Sequence, residues 1–550
     1  MFKPLLVVLF LSVLSFNSFG QLLQGDKASF TEQDTLRGSI TPEREWWDLK
    51  YYHLSIEVLS ESKSIIGTNK VEYTVLSPFQ VMQIDLQQPM EITKVLQDDK
   101  ELKFIRNGNA FFITLDKQQN VGEVNSIVIY YNGQPREAVN APWDGGFTWN
   151  KDTNGNDFIA TSCQGLGASV WWPVKDHMYD EPDSMMISVE VPNLLMDVSN
   201  GQLLKVEKNR KKKTKTYHWF VDNPINNYGV NVNIGDYAHF SNKYDGEKGE
   251  LSLEYYVLKP NLEKAKKQFQ QTKEMLEAFE HWFGPYPFYE DGFKLVEVPY
   301  LGMEHQSSVT YGNKFQNGYL GKDLSGTGWG LKFDFIIVHE AGHEWFANNI
   351  TDKDIADMWI HESFTSYSEC LFVEYFYGKE AGQEYVRGTR RSIQNDKPII
   401  GIYGVNAEGS GDMYYKGSNM LNMIRQITND DDKWLSTLRG LNKDFYHQTV
   451  ETTQIENYLI THLGFDAEPI FDQYLRTSQV PILEYKIAKN RLSYRFTSAI
   501  STFKMPVDMV LGEKVERMDV TTEWKSVELK EDIQEIKVNP NYYIGIMKMQ

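Results

Sequence analysis

The sequence predicts a multidomain α+β protein with an antiparallel β-rich N-terminal part, a central α/β part, a helical stretch and a small C-terminal β-part. Three observations carry this expectation. The chain has 550 residues, 41% of them hydrophobic and 13% aromatic, enough to build several large cores. Its hydrophobic period changes along the chain, from two residues to helical spacing and back. One strongly apolar stretch of the central part carries His-Glu-x-x-His, at residues 339–343.

Taken in order, residues 1–20 read as a secretory signal peptide. Lys3 supplies the positive start, Leu5 to Leu14 form a short apolar run, and Ser18 and Gly20 are small residues before an expected cut at Gln21. The expectation is an exported mature chain, periplasmic or extracellular, without a transmembrane segment. Residues 21–44 are polar and predict a poorly packed lead-in. From 45 to 245 the signal is β: Tyr51–Val58 and Lys70–Val75 alternate, and Ser126–Tyr131 and Met186–Val191 are further strands between Gly, Asn, Asp and Pro turns. The basic run Lys208–Lys215 lies between strands and reads as a solvated hairpin tip.

Residues 246–478 form the expected catalytic part with its following helices. A strand at Leu251–Val257 leads to a helix over about Asn261–Phe283, then to a strand at Phe293–Val298. The His-Glu-x-x-His helix follows, then a second helix over about Asp354–Tyr377, and mainly helix to about 477. Residues 479–550 alternate again, as in Leu483–Ile487, and predict the small β-domain. The net charge of −19, with no basic domain, argues against nucleic acid as a partner. Cys163 and Cys370 are the two cysteines, too few for a disulfide framework, and read as buried free thiols.

The chemistry is concentrated in Val338–Phe346. On a helix, His339 and His343 lie one turn apart and project from one face, half of a tetrahedral metal site. Eighteen residues separate His343 from Glu362, which supplies a third ligand and leaves one position open. Glu340 stands beside the pair as a base for a water on the metal. The apolar residues around the motif, Phe335–Val338 before and Trp345–Phe346 after, predict burial, where two imidazoles and a carboxylate need a partner. Glu369, two turns beyond Glu362, is placed to orient a ligand histidine.

His339-Glu340-x-x-His343 with Glu362, Gly302-Met303-Glu304 upstream and Tyr414-Tyr415-Lys416-Gly417 downstream resemble the M1 family of zinc aminopeptidases, which includes the leukotriene-epoxide hydrolases. The resemblance runs from about residue 45 to the C-terminus. It implies an N-terminal β-saddle domain, a thermolysin-like catalytic domain and one Zn2+ per chain. It also implies exopeptidase chemistry on peptides with a free N-terminal amine, by attack of a zinc-bound water activated by Glu340. Glu304 would bind the substrate ammonium, with Gln164, Gly302 and Met303 lining the same subsite, and Tyr414 would hydrogen-bond the tetrahedral intermediate. One alternative, a zinc epoxide hydrolase, shares these motifs; the other is an inactive metallopeptidase-fold binding protein, and relatives of that kind lack zinc ligands or the glutamate at the Glu340 position, all of which are intact here. Three positions depart from the family pattern, with Leu301 for the usual Gly, and His305 and His361 each for Asn. His305 is expected to add a titratable group near the amine site.

Overall fold

A computed structural model describes residues 29–530 and 533–550. The signal-peptide reading of residues 1–20 lies outside the described residues. The first strand, Trp47–Leu59, makes a long antiparallel hairpin with Ser64–Val75, running from Trp47↔Val75 to Leu59↔Ser64 with one register shift between Leu49 and Tyr51. Its alternation is real burial: Tyr52, Leu54, Ile56 and Val58 point inward. The same strand pairs in parallel with Ser184–Pro192, so the eight-stranded sheet is antiparallel except at this junction. The basic run is the turn of the hairpin Gln202–Asn209/Thr214–Val221, with residues 210–213 exposed.

The lead-in departs from expectation. From Thr31 onward it is helical and docked, not loosely packed. Thr31 caps the helix Glu32–Gly38, and Pro42–Glu45 follows. Arg44 is wholly buried against Asp85, 2.5 Å away, while Arg37 pairs with Asp176 at 3.2 Å. Each cation satisfies a carboxylate of the β-domain, an interaction between residues too distant in sequence for local pattern to reveal.

The central sheet has five strands, in the spatial order Tyr237–Gly246, Gly249–Leu258, Phe293–Glu297, Val309–Tyr311 and Gly302–Met303. Gly302–Met303 is therefore an edge strand, paired on one side only, with Gly302 opposite Tyr311 and Met303 opposite Thr310. The single helix expected over 261–283 is two helices, Leu262–Gln268 and Gln271–Phe283. The break turns Phe269 into the core, edge-on to Tyr311 at 4.9 Å. The helix expected from Asp354 begins at Trp359, after a short 3₁₀ turn capped by Asp354. Between Ser392 and Gly411 the chain is irregular rather than helical, and this segment reaches the central cleft. The C-terminal strands, starting with Ile482–Ala488 and Arg491–Thr497, share one continuous hydrophobic core with the catalytic helices. Cys163 and Cys370 are both free and buried. No helix among the described residues is long and apolar enough to cross a membrane.

Candidate active site

The motif helix, Phe335–Gly342, is buried along its whole length. Asp334 caps it, accepting from the Ile336 N–H at 3.2 Å, and is itself held by the Tyr311 hydroxyl and Asn313 Nδ2, both at 2.7 Å. Beyond His343 the regular helix fails, and Phe346 and Ala347 leave helical geometry. That turn presents the Phe346 carbonyl to His343 Nδ1 at 3.1 Å. The second helix, Trp359–Tyr377, crosses against the first. A Cβ on Gly342 would sit 2.6 Å from Ser368 Oγ and 3.1 Å from Thr365 Cγ2, so glycine between the two histidines permits the close approach.

This packing brings His339, His343 and Glu362 together, with one donor atom from each lying within 4.8 Å of the others. Glu362 Oε2 is 3.5 Å from His343 Nε2 and 3.8 Å from His339 Nε2. Both Nδ1 atoms are engaged elsewhere. His339 Nδ1 meets Glu369 Oε1 at 2.7 Å, and His343 Nδ1 meets the Phe346 carbonyl and Thr365 Oγ1. The Nε2 atoms are thereby turned to a common point. Glu362 Oε2 faces that point, buried and without a hydrogen-bond partner. Burial holds His339 neutral, with its pKa near 3. At His343 the opposing pull of Glu362 outweighs burial and drives the pKa up to about 10. The carboxylate thus demands a positive charge between the three donors. Two imidazoles and one carboxylate are a donor set that suits zinc.

Glu340 and Glu304 face the same space. Burial, and then the charge of Glu304, push the Glu340 carboxyl well above the usual range. Glu304, expected to look like an exposed strand carboxylate if taken alone, is buried just beyond the edge strand, and its backbone carbonyl accepts from Asn348 Nδ2 at 2.9 Å. Gln164, delivered from the β-domain after the strand Asp157–Ser162, donates to Glu304 Oε1 at 2.5 Å. It also lies 3.5 Å from Glu362 Oε1. A Cβ on Gly302 would stand 2.7 Å from Ile336 Cγ2, so this glycine sets the distance between edge strand and motif helix. Met303 packs with Ala160, Val298 and Tyr300. Tyr414 lies half-buried on the cleft wall, its ring 6.1 Å from that of His339 and nearly parallel to it. The glycine of its motif matters too: a Cβ on Gly417 would collide with Ser363 Oγ, the neighbour of Glu362.

Two departures resolve into structure. His305 does not line the cleft. It is fully buried beside Thr310, and burial lowers its pKa to about 3, so it is a neutral core residue and not a charge at the amine site. His361 is likewise buried and neutral, accepting from the Asp352 N–H at 2.7 Å. Leu301 does line the cleft. Sequence reasoning missed Thr365 and Tyr385, whose hydroxyl donates to Glu369 Oε2 at 2.6 Å. Thr365 sits one turn after Glu362 and was findable by helical spacing, whereas nothing local marks Tyr385.

Residues 267–474 match the family model described as "Peptidase family M1 domain". The chain carries a peptidase family M1 domain. All the cleft residues named above except Gln164 fall inside that match. A leucyl aminopeptidase of Saccharolobus solfataricus is 21% identical over 407 residues, 70% of this chain and 50% of the relative. Leukotriene A-4 hydrolase of Xenopus laevis is 21% identical over 446 residues, 76% of this chain and 69% of the relative. The chain spans about half the length of the first of these. A crystal structure of an M1 zinc metallopeptidase from Deinococcus radiodurans superposes with TM-score 0.68 at 19% identity, over 80% of this chain and 95% of that one. That likeness extends the M1 fold well beyond the matched domain, into the β-rich N-terminal part.

Proposed function

We propose that this protein is an exported zinc-dependent aminopeptidase that removes single residues from the free N-termini of peptides. The observation that carries the reading is the pairing of two sites in one cleft. A three-donor centre built for a cation lies beside a buried carboxylate, Glu304, held by Gln164. The leucyl aminopeptidase named above supports the same reading. Export rests on the charged, apolar and small-residue order of residues 1–20.

His339, His343 and Glu362 would hold the zinc. When bound, the metal polarises the substrate carbonyl and acidifies a water. Glu304, with Gln164, pairs with the α-ammonium, which ties cleavage to the first peptide bond. Glu340 takes the proton from the attacking water as its oxygen bonds to the carbonyl carbon. It returns that proton to the departing nitrogen as the C–N bond breaks. The Tyr414 hydroxyl donates to the oxygen that gains negative charge. Glu369 acts through His339, keeping its Nε2 aimed inward.

The test is product analysis of an unblocked octapeptide. The expected result is stepwise appearance of free amino acids from the N-terminus, stopped by a chelator and restored by one equivalent of zinc per chain. Internal fragments would contradict the reading.

A further inference from the structure

The cleft is chemically asymmetric along its length, and the direction of that asymmetry carries information about substrate. Its titratable lining groups, Glu304, His339, Glu340, His343 and Glu362, are gathered at one end and the middle. Glu304, Glu340 and His343 bring donor atoms within 4.8 Å of one another, so the ammonium anchor lies at the His343 end of the motif helix. Moving back along that helix leads from His343 to His339 and Glu340, and then to Phe335 and Ile336, a further turn away. Phe335 stacks on His339 at 5.0 Å, and Tyr319 meets Phe335 edge-on at 5.4 Å. Moving back along the edge strand gives the same order, Glu304, Met303, Gly302, Leu301. Strand and helix are locked in this alignment by the Gly302–Ile336 contact.

An extended peptide with its amine at Glu304 can lie antiparallel to Gly302–Met303, whose outer edge has no strand partner. At about 3.3 Å per residue, its second side chain lies roughly 7 Å from the anchor, past the point that His339, His343 and Glu362 face. The wall there is formed by Leu301, Phe335 and Ile336, with Tyr319 against Phe335, and Leu324 and Tyr415 are further cleft-lining residues. No lining residue on this side carries a charge. Leu324 and Phe335 are packed into the core behind the wall and Tyr415 is buried, so it is a preformed surface and not a loose rim.

We infer that the enzyme selects peptides by the residue after the scissile bond, and that it requires a bulky apolar or aromatic side chain there. The inference rests on the aminopeptidase reading and adds a substrate class to it. A side chain of this kind covers the apolar wall on the leaving-group side, whereas an acidic one would be desolvated against it without a partner.

The experiment uses the zinc-loaded full-length mature chain and four free-amine peptides, Ala-Phe-Ala-Ala, Ala-Leu-Ala-Ala, Ala-Ser-Ala-Ala and Ala-Asp-Ala-Ala. Release of the first alanine is followed as kcat/KM. The expected order is Phe and Leu above Ser by ~10–100-fold, with Asp lowest. Leu324→Ser and Tyr319→Ser are each expected to shrink the Phe-to-Ser ratio several-fold. That ratio is read within one preparation and does not depend on the fraction folded. Equal rates across the four peptides, or a faster Asp peptide, would overturn the inference while leaving the aminopeptidase reading intact. Failure to release alanine from any of them would overturn the aminopeptidase reading itself, and the inference with it.

Discussion

The two ends of the cleft are built in opposite ways. The metal end is local: His339, His343, Glu362 and Glu369 come from two helical stretches separated by the distorted turn Glu344–Asn349, one short strand and one 3₁₀ turn, and each imidazole is pinned by its own Nδ1 contact. The amine end is assembled from a distance. Gln164 arrives from the β-domain and Glu304 from an edge strand, 140 residues apart, joined by one short hydrogen bond. The difference teaches that reaction type is encoded compactly, whereas recognition of a chain end depends on how two domains meet. If so, substitutions at one end should leave the other's property unaltered.

The largest expected effect is that of Glu340→Gln. Removing the proton acceptor should lower kcat by ~10²–10⁴-fold while zinc content and the KM for free-amine peptides stay near wild type. Loss of bound zinc in this variant, measured by atomic absorption, would show that the base and the metal centre are not separable. Next is Tyr414→Phe, expected to reduce kcat by ~10²–10³-fold with little change in KM, because the hydroxyl is used when charge develops on the oxygen. An effect confined to KM would move Tyr414 from the reacting centre to substrate binding. Glu369→Ala, which frees the His339 ring, should weaken zinc ~10–100-fold in competition with a chelator. Selectivity for free over blocked amines should survive once the metal is restored.

His305→Asn should have the smallest effect, on stability alone. The folded-state pKa of about 3 lies below the ordinary value of 6.5. Between those values the unfolded chain binds a proton that the fold does not, so stability falls as pH drops from 6.5 toward 3. The contribution is ~1.4 kcal/mol per pH unit. Asparagine removes that share of the slope, which urea midpoints measured from pH 7 to pH 4 would record. A change in the pH profile of activity above pH 6 would contradict the placement of His305 outside the cleft.

How much of this was legible in the sequence follows the same division. The metal end was readable because i, i+4 spacing on a helix fixes which side chains share a face, and Glu362 lies within reach of that face on the next helix. Glu369 was visible by the same periodicity. Gln164 had no signal of its own, since a glutamine in a loop acquires meaning only from what the fold sets beside it. The docked lead-in was misread for a related reason: Arg44 and Asp85 are 41 residues apart, and a polar, Thr-rich segment looks loose until its partners are known. The break at Phe269 escaped because tertiary packing, and no Pro or Gly, ends the helix there, whereas the irregular segment after Ser392 carries its own breakers in Pro398, Gly401, Gly404 and Gly409 and was legible. The fold class was legible throughout, carried by alternation in the β-parts and by the apolar motif helix.

The division between the two ends is tested most directly by Glu304→Ala, assayed on a peptide and its N-acetylated twin with zinc measured in the same samples. The account predicts that wild type cleaves only the free-amine peptide. The variant should keep one zinc per chain and lose most of its kcat/KM for that peptide, so that the discrimination between the twins collapses. Full activity of the variant on the free amine, or equal cleavage of both twins by wild type, would contradict it.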